Sequence, residues 1–196
     1  MTATGTPGGT KRADARRNYE LLIAAATQAF AEHGADDVSL EEIARRAGVG
    51  IGTLYRHFPA RQALLEAVYK DQVDGLETLA GKLLVSESPG EALVEWLRAF
   101  AAFGRTKRNL SAALVATIGK DSTLMSECSR ILRSSSEALL SRAQEAGSVR
   151  KDVQPGDLFR LIHGVIVATE GAGTDPGQAD RILDLVMAGL RTGPAA

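Results

Sequence analysis

The side chains best suited to chemistry in this 196-residue chain are concentrated in one short segment. Polar and amphipathic residues surround the hydrophobic position Leu54 there, and they are Thr53, Tyr55, Arg56 and His57. The hydroxyl groups of Thr and Tyr can donate hydrogen bonds to phosphate oxygens, and a Thr methyl group can contact the methyl group of thymine. The chemistry that these residue types indicate is therefore hydrogen bonding to a nucleic acid.

Two short helices, at 40–47 and 51–57, must position these residues. Ser39 and Glu42 have the spacing of a capping box, which predicts that the first helix begins there. Gly48 follows its last turn, where the left-handed backbone of a tight reversal favours glycine. Two short helices joined by a turn that contains glycine form a helix-turn-helix, whose second helix enters the major groove of DNA.

Further residues of this segment are candidates for contact with DNA. Gly50 and Gly52 leave the start of the second helix without side chains, so that its backbone can approach DNA closely. Arg45 adds positive charge on the first helix, and Arg61 can reach a flanking phosphate. Residues 18–61 nevertheless carry four arginines against six acidic residues. Affinity must then come from the placement of these groups, from the N-terminal tail and from two copies of the domain.

Residues 1–17 are predicted to be a flexible basic arm. Thr, Gly, Pro and Ala dominate this segment, and no core-forming period is visible. Its far end has an excess of positive charge, from Lys11, Arg12, Arg16 and Arg17 against Asp14. It is either a solvated terminus or an arm that touches phosphate.

The rest of the sequence predicts an all-α fold with about nine helices. Ala, Leu, Glu and Arg dominate from Asn18 onward, and alternation of β-branched residues is absent. We expect a helix-turn-helix domain at 18–62 and a larger helical domain at 63–192. The predicted helices span 18–33, 40–47, 51–57, 60–84, 89–104, 109–118, 122–146, 155–170 and 178–191.

Composition excludes several classes of protein. The chain is 44% hydrophobic and 24% charged, which is typical of a globular protein. The single cysteine, Cys128, excludes a disulfide scaffold within the chain and a zinc site of paired cysteines. No apolar run is long enough to span a membrane, and residues 1–9 lack the pattern of a secretory signal, so that we expect a cytoplasmic protein. Without a recognisable catalytic motif, we expect no enzyme activity, no cofactor and no metal ion.

Apolar residues of the larger domain could form either a ligand pocket or ordinary core. Trp96, Phe100 and Phe103 lie on one helical face, four and three residues apart. The other pocket candidates are Met125, Cys128, His163 and Val167. An apolar pocket with a few polar groups suits a small molecule, although core packing is the more usual role for any one of these residues. A nucleophilic pair of Cys128 and His163 is a weak alternative, because a lone helical cysteine is usually a small buried hydrophobe.

The last two helices are apolar around more than one face. A helix that is apolar on most sides is buried on most sides, and in a small domain the extra face indicates a subunit contact. Two such helices from each of two chains would form a four-helix, two-fold interface. The candidate interface residues are Leu161, Ile162, Val165, Ile166, Ile182, Leu185, Val186 and Leu190.

Residues 18–66 resemble the DNA-binding domain of the tetracycline-repressor (TetR) family. The motifs that carry the resemblance are Phe30-Ala31-Glu32-His33-Gly34, Val38-Ser39, Ile43-Ala44, Ala47-Gly48-Val49 and Gly52-Thr53-Leu54-Tyr55-Arg56-His57-Phe58. The chain departs from the family's usual residues at Gly50, Ile51 and Arg61, where the family has a capping residue, a polar residue and a lysine.

The resemblance implies a homodimeric, ligand-responsive repressor that binds a palindromic DNA operator. It implies DNA contacts by Ser39, Thr53, Tyr55, His57 and Arg61, and a small-molecule effector enclosed by the C-terminal helices. Three alternatives stay open. The first is a helix-turn-helix regulator of DNA or protein partners without a small ligand, and the second is a helical enzyme with a vestigial DNA-binding unit. Activation of transcription in place of repression is a third alternative.

Overall fold

The computed structural model of the chain describes residues 7–119, 122–169 and 177–191. These residues form eight helices, and the only extended pairing among them is an isolated bridge between Val149 and Arg191. The all-α fold class is confirmed. The helices are α1 Pro7–His33, α2 Leu40–Arg46, α3 Ile51–His57, α4 Arg61–Leu83, α5 Pro89–Ile118, α6 Thr123–Glu145, α7 Pro155–Ala168 and α8 Gln178–Leu190.

Helix α1 begins eleven residues before its predicted start at Asn18. The expectation of a flexible arm over residues 1–17 is therefore wrong from Pro7 onward, and residues 1–6 lie outside the described residues. Proline suits the first turn of a helix, and alanine and arginine are strong helix formers. Residues 12–17 are exposed, so this part of the helix has no buried face and its sequence shows no apolar periodicity.

Helix α5 is continuous where two helices, at 89–104 and 109–118, were predicted. Gly104, the last residue of the first predicted helix, lies inside α5 and marks a close approach of another helix. A methyl group added there would collide with the Cδ1 atom of Ile166 on α7. The glycine thus serves packing between α5 and α7 and does not interrupt the helix.

The chain divides into two compact units, and the division falls within α4 and α5. The first unit comprises Met1–Asp71 with Asn109–Gly119, and the second comprises Gln72–Arg108 with Lys120–Ala196. The first boundary therefore lies nine residues after residue 62, where the predicted DNA-binding domain ends.

The core of the first unit contains an apolar stripe of α1. Its members, all at most 3% exposed, are Leu22, Ile23, Ala26, Ala29 and Phe30. Ile43 of α2, Leu54 of α3 and Phe58 after α3 are equally buried. These side chains fix the two short helices against α1.

The core of the second unit contains an aromatic cluster of Trp96, Phe100 and Phe159. The ring of Phe100 stacks on Trp96 with centroids 5.3 Å apart and meets Phe159 edge-on at 5.4 Å. The indole N–H of Trp96, which is fully buried, donates to the carbonyl oxygen of Leu76 at 3.0 Å. In the described part of the chain, no helix has both the length and the apolar character that crossing a lipid bilayer requires.

Candidate nucleic-acid interface

The turn between α2 and α3 is fixed by its caps. The hydroxyl oxygen of Ser39 accepts a hydrogen bond from the backbone N–H of Glu42 at 3.1 Å, as the capping-box spacing predicts. Gly48 has a φ angle of +67°, in the left-handed region that favours glycine. The N–H of Val49 donates to the carbonyl of Ala44 at 3.0 Å, which closes the reversal.

Helix α3 presents its polar residues outward because its apolar residues are held in the core. Leu54 is fully buried, whereas Tyr55 is 46% exposed. Arg56 is exposed as well, and Thr53 and His57 are half-buried. The structure thus places the four polar residues that the sequence singled out on the solvent side of α3.

Gly50 and Gly52 have no packing role within the chain. Both are exposed, and a Cβ atom added at either position would meet nothing within 4 Å. Glycine inside a helix costs about 0.5–1 kcal/mol relative to alanine. Since the fold does not need Gly52 to be glycine, the bare backbone at the start of α3 is suited to contact with an external surface.

Two arginines near this surface are engaged within the chain. The Nε–H of Arg56 donates to the carbonyl of Gly52, and its Nη2 donates to the hydroxyl of Thr53, both at 3.1 Å. Arg45 donates twice to the carboxylate of Glu42, at 2.8 and 2.7 Å. Contact of either side chain with DNA requires an exchange of these partners.

Glu42 is the centre of a network that joins α2 to the end of α1. Its carboxylate also accepts a hydrogen bond from the Nε–H of Arg46 at 2.8 Å. Arg46 in turn donates to Glu32 at 2.5 Å. Hydrogen bonds from Arg45 and Arg46 lower the pKa of Glu42 to about 2, and those from Arg46 and Gln28 lower the pKa of Glu32. Both carboxylates therefore stay ionised, and Arg46 stays paired, at neutral pH.

Arg61, the predicted phosphate contact, donates hydrogen bonds within the chain. Its Nη1 donates to the carbonyl of Val38 at 2.7 Å, and its Nη2 donates to the carbonyl of Ala35. The guanidinium carbon lies 5.9 Å from the centre of the buried Phe30 ring. The side chain is thus directed into the α1–α2 connection, and it holds the first residue of α4 against that connection.

Tyr19 belongs to this surface although sequence analysis did not identify it. Its ring lies 5.2 Å from the ring of Phe58 and 6.1 Å from that of His57, between ring centroids. The signal was present in the spacing, because Tyr19 precedes Ile23 and Ala26 by four and seven residues. It therefore continues the buried face of α1.

Only some of the predicted pocket residues come together. Trp96, Phe100 and Phe103 are buried, with pairs of neighbouring rings in contact. Cys128 is buried and Met125 is half-buried. His163 and Val167 are exposed, because α7 turns its opposite face into the unit, so their placement with the buried cluster is wrong. A nucleophilic pair of buried Cys128 with exposed His163 finds no support either.

The predicted interface residues divide into buried and exposed sets. Ile162, Val165 and Ile166 are at most 7% exposed and belong to the core of their own unit, so they are not available to a second subunit. Leu161 is 36% exposed and Leu185 is 74% exposed. The remaining three, all half-buried, are Ile182, Val186 and Leu190. Among the residues with described positions, no His, Cys, Asp and Glu side chains form a group of three that could hold a metal ion.

Comparison with known proteins covers both units. A family model described as bacterial regulatory proteins of the tetR family matches residues 22–68. A second, described as the C-terminal domain of SbtR-like transcriptional regulators, matches residues 88–192. Curated relatives include an HTH-type transcriptional regulator of Staphylococcus aureus, which is 36% identical over 63 residues, or 32% of this chain. That match spans 34% of the relative, about a third of its length.

Solved structures match nearly the whole chain. The TetR transcriptional regulator SCO0520 from Streptomyces coelicolor is 37% identical, over 89% of this chain and 99% of its own, with a TM-score of 0.77. The TetR transcription regulatory protein from Mycobacterium vanbaalenii is 35% identical, over 92% and 99%, with a TM-score of 0.74. FadR from Bacillus subtilis, in complex with stearoyl-CoA, shares the fold at 18% identity, over 88% and 100%, with a TM-score of 0.58.

The contacts of Arg61 predict a structural effect of a charge-conserving substitution. Arg61→Lys keeps the positive charge but cannot reproduce two donations from one planar group, so we expect a loss of about 1–2 kcal/mol of unfolding free energy. Urea denaturation of the full chain measures this loss. Arg130→Lys, at an exposed position of α6, should leave the stability unchanged. Equal stability of the parent and Arg61→Lys would restore Arg61 as a candidate for phosphate contact.

Proposed function

Because this chain belongs to the tetracycline-repressor (TetR) family of bacterial transcriptional regulators, we propose that it is a homodimeric repressor that binds a palindromic operator. The family consists of DNA-binding regulators and not of enzymes. In the proposed complex, α3 of each protomer enters the major groove. A two-fold dimer would present the two helices about 34–36 Å apart, one turn of DNA. Such a protein would act in the cytoplasm, where chromosomal DNA lies.

The observation that carries the DNA-binding proposal is the outward face of α3 together with its bare glycines. Tyr55 is exposed and its hydroxyl can donate to phosphate, and Gly50 and Gly52 let the backbone come close to the duplex. We assign the remaining contacts to Ser39, Thr53, Arg45, Arg56 and His57. Arg45 and Arg56 would exchange their partners within the chain for phosphate oxygens.

Gly52→Ala tests this assignment, because the stability of the fold and the affinity for DNA should change in opposite directions. The added methyl group meets nothing within the chain, so stability should rise by about 0.5–1 kcal/mol. The same methyl group would stand between α3 and DNA, so affinity for the operator should fall about tenfold or more, which is about 1.4 kcal/mol. The operator is obtained by selecting bound fragments of the source genome with the purified protein, and affinity is then measured by fluorescence anisotropy.

Gly75→Ala is the matched control, because Gly75 is also helical, exposed and without neighbours within 4 Å. It should raise stability equally and leave DNA affinity unchanged. If Gly52→Ala binds the selected fragments as tightly as the parent, α3 does not dock as proposed. If the parent selects no fragments, the DNA-binding assignment itself is lost.

We place the dimer interface on the outer faces of α7 and α8. Leu161, Val167 and Leu185 are large apolar side chains that remain exposed there. A shallow groove lined by Ile182 and Leu185 runs along α8. Exposed apolar faces of this kind are typical of subunit contacts. The outer face thus replaces the buried residues Val165 and Ile166 as the proposed contact.

Leu185→Glu should convert the dimer to a monomer, because a charge would be buried without a partner at the interface. The monomer itself should remain folded, since Leu185 is 74% exposed. Sedimentation equilibrium measures the mass, and circular dichroism measures the fold. Val85→Glu is the control, because Val85 is 81% exposed and lies between α4 and α5. A dimeric Leu185→Glu protein would exclude α8 from the interface.

We further propose that a small apolar or amphipathic effector releases the repressor from DNA. The proposed site surrounds the rings of Trp96, Phe100 and Phe103, with Met125 and Cys128 as neighbours to be tested. The same fold accommodates stearoyl-CoA in FadR, which makes an apolar effector a reasonable class for this chain. The effector would favour a conformation in which the two α3 helices no longer fit adjacent grooves, with a differential affinity of about 1–3 kcal/mol.

One observation favours a regulator without a small ligand. Trp96 and Phe100 already stack on each other, Phe159 covers Phe100, and the indole N–H has a partner. An effector that uses these rings must displace contacts that exist without it. This candidate therefore stands beside the ligand-responsive one.

The fluorescence of Trp96 distinguishes the ligand-responsive repressor from the regulator without a small ligand. Trp96 is the only tryptophan of the chain and lies in the proposed effector site. Genes next to the selected fragments identify compounds to test. We expect at least one of these compounds to change Trp96 emission and to release the labelled operator over the same concentration range. If none does while the operator stays bound, the regulator without a small ligand is the better description. Release without a change in Trp96 emission would place the effector elsewhere.

A further inference from the structure

The side chains on one face of α1 are buried in the core at Ile23 and become exposed to solvent towards the N-terminus. Going towards the N-terminus from Ile23, which is 3% exposed, the face passes through Tyr19 at 38% exposure. It then reaches Arg16 and Arg12, which are both exposed. Steps of four, three and four residues keep these four side chains on the same side of a helix. The face that packs on the helix-turn-helix therefore continues beyond it, with arginines in place of apolar residues.

The rim of this face adjoins the end of α3. The ring of Tyr19 lies beside His57, the last residue of α3, and beside Phe58, which follows it. Arg16 and Arg12 come next on the same face of α1, and both are exposed. Arg12 is seven residues before Tyr19, a distance of about 10 Å along the helix axis. Because α1 is continuous from Pro7, this extension is held by the helix and not by a loose arm.

We propose that the N-terminal extension of α1, residues 12–16, is a second DNA-binding element that contacts phosphates outside the site read by α3. The inference rests on the proposed function, because it takes the operator as its partner. The extension thus contacts phosphates outside the base pairs read by α3 on each side of the operator.

Charge supports this partner. Residues 18–61, which include the helix-turn-helix, have two more acidic than basic side chains, so positive charge outside them adds to the attraction for phosphate. Arg16 pairs with Glu20 at 2.9 Å, but the two side chains are 84% and 62% exposed. An exposed pair of this kind contributes little to stability, and phosphate can replace the carboxylate at small cost.

Arg17 provides a control within the same turn of helix. It lies two residues from Tyr19, which turns it about 200° around the axis and away from the row of Arg12 and Arg16. Arg17 is exposed, and its replacement removes the same charge as replacement of Arg12. Arg12→Ala and Arg17→Ala therefore differ only in the face of α1 that loses the charge.

The test measures the affinity of the full-length dimer for the selected operator over a range of salt concentrations. The slope of log K against log salt should fall by about 0.9 for each phosphate contact removed, or about 1.8 for a dimer that carries Arg12→Ala. Arg17→Ala should keep the slope of the parent. The parent should also bind more tightly to an operator fragment extended by about four base pairs on each side, and Arg12→Ala should not distinguish the two fragments.

The outcomes separate the two proposals. Equal slopes for Arg12→Ala and Arg17→Ala, with a parent that binds its operator, would overturn the role of the α1 extension and leave the function of α3 intact. A parent that binds no genomic fragment would overturn the proposed function itself. Circular dichroism melts of the three proteins confirm that each is folded.

Discussion

A helix of seven residues is not stable on its own in water, so α3 depends on the two side chains that tie it to the first unit. Isolated helices shorter than about 12–15 residues are marginal even when their composition is favourable. Leu54 and Phe58 are buried against α1 and α2, and their spacing of four residues defines the inward side of α3. The outward side then belongs to Tyr55 and Arg56, so the same packing that forms the helix also orients its polar surface.

Glycine serves two separate purposes within five residues of this motif. At Gly48 the backbone has a positive φ angle, so the fold itself requires glycine. Gly52 is helical and has open space around it, so the fold would be more stable with alanine. A residue that lowers stability without a structural reason indicates a functional site, and here it lies at the start of the helix proposed to enter the groove.

The sequence was sufficient where local spacing determines the structure, and insufficient where contacts between distant residues do. The capping box of Ser39 and Glu42 defined the start of α2, where the Ser39 hydroxyl accepts a hydrogen bond from the Glu42 N–H. The residue type of Arg61 suggested phosphate contact, whereas its direction depends on carbonyls 23 and 26 residues earlier in the chain. Similarly, α7 is apolar on most sides, and only the fold determines that Val165 faces inward and Val167 outward.

In the proposed complex with DNA, the ion network of α2 could release one arginine without leaving a carboxylate unpaired. Oε1 of Glu42 accepts hydrogen bonds from both Arg45 and Arg46. Arg46 also donates a hydrogen bond to Glu32 on α1, so it helps to fix the angle between α1 and α2. In the proposed complex, where Arg45 exchanges Glu42 for a phosphate, Glu42 would keep Arg46 as its partner, and the exchange would cost less than the separation of an isolated ion pair. The network would thus preserve the geometry of α2 while one of its cations is exchanged.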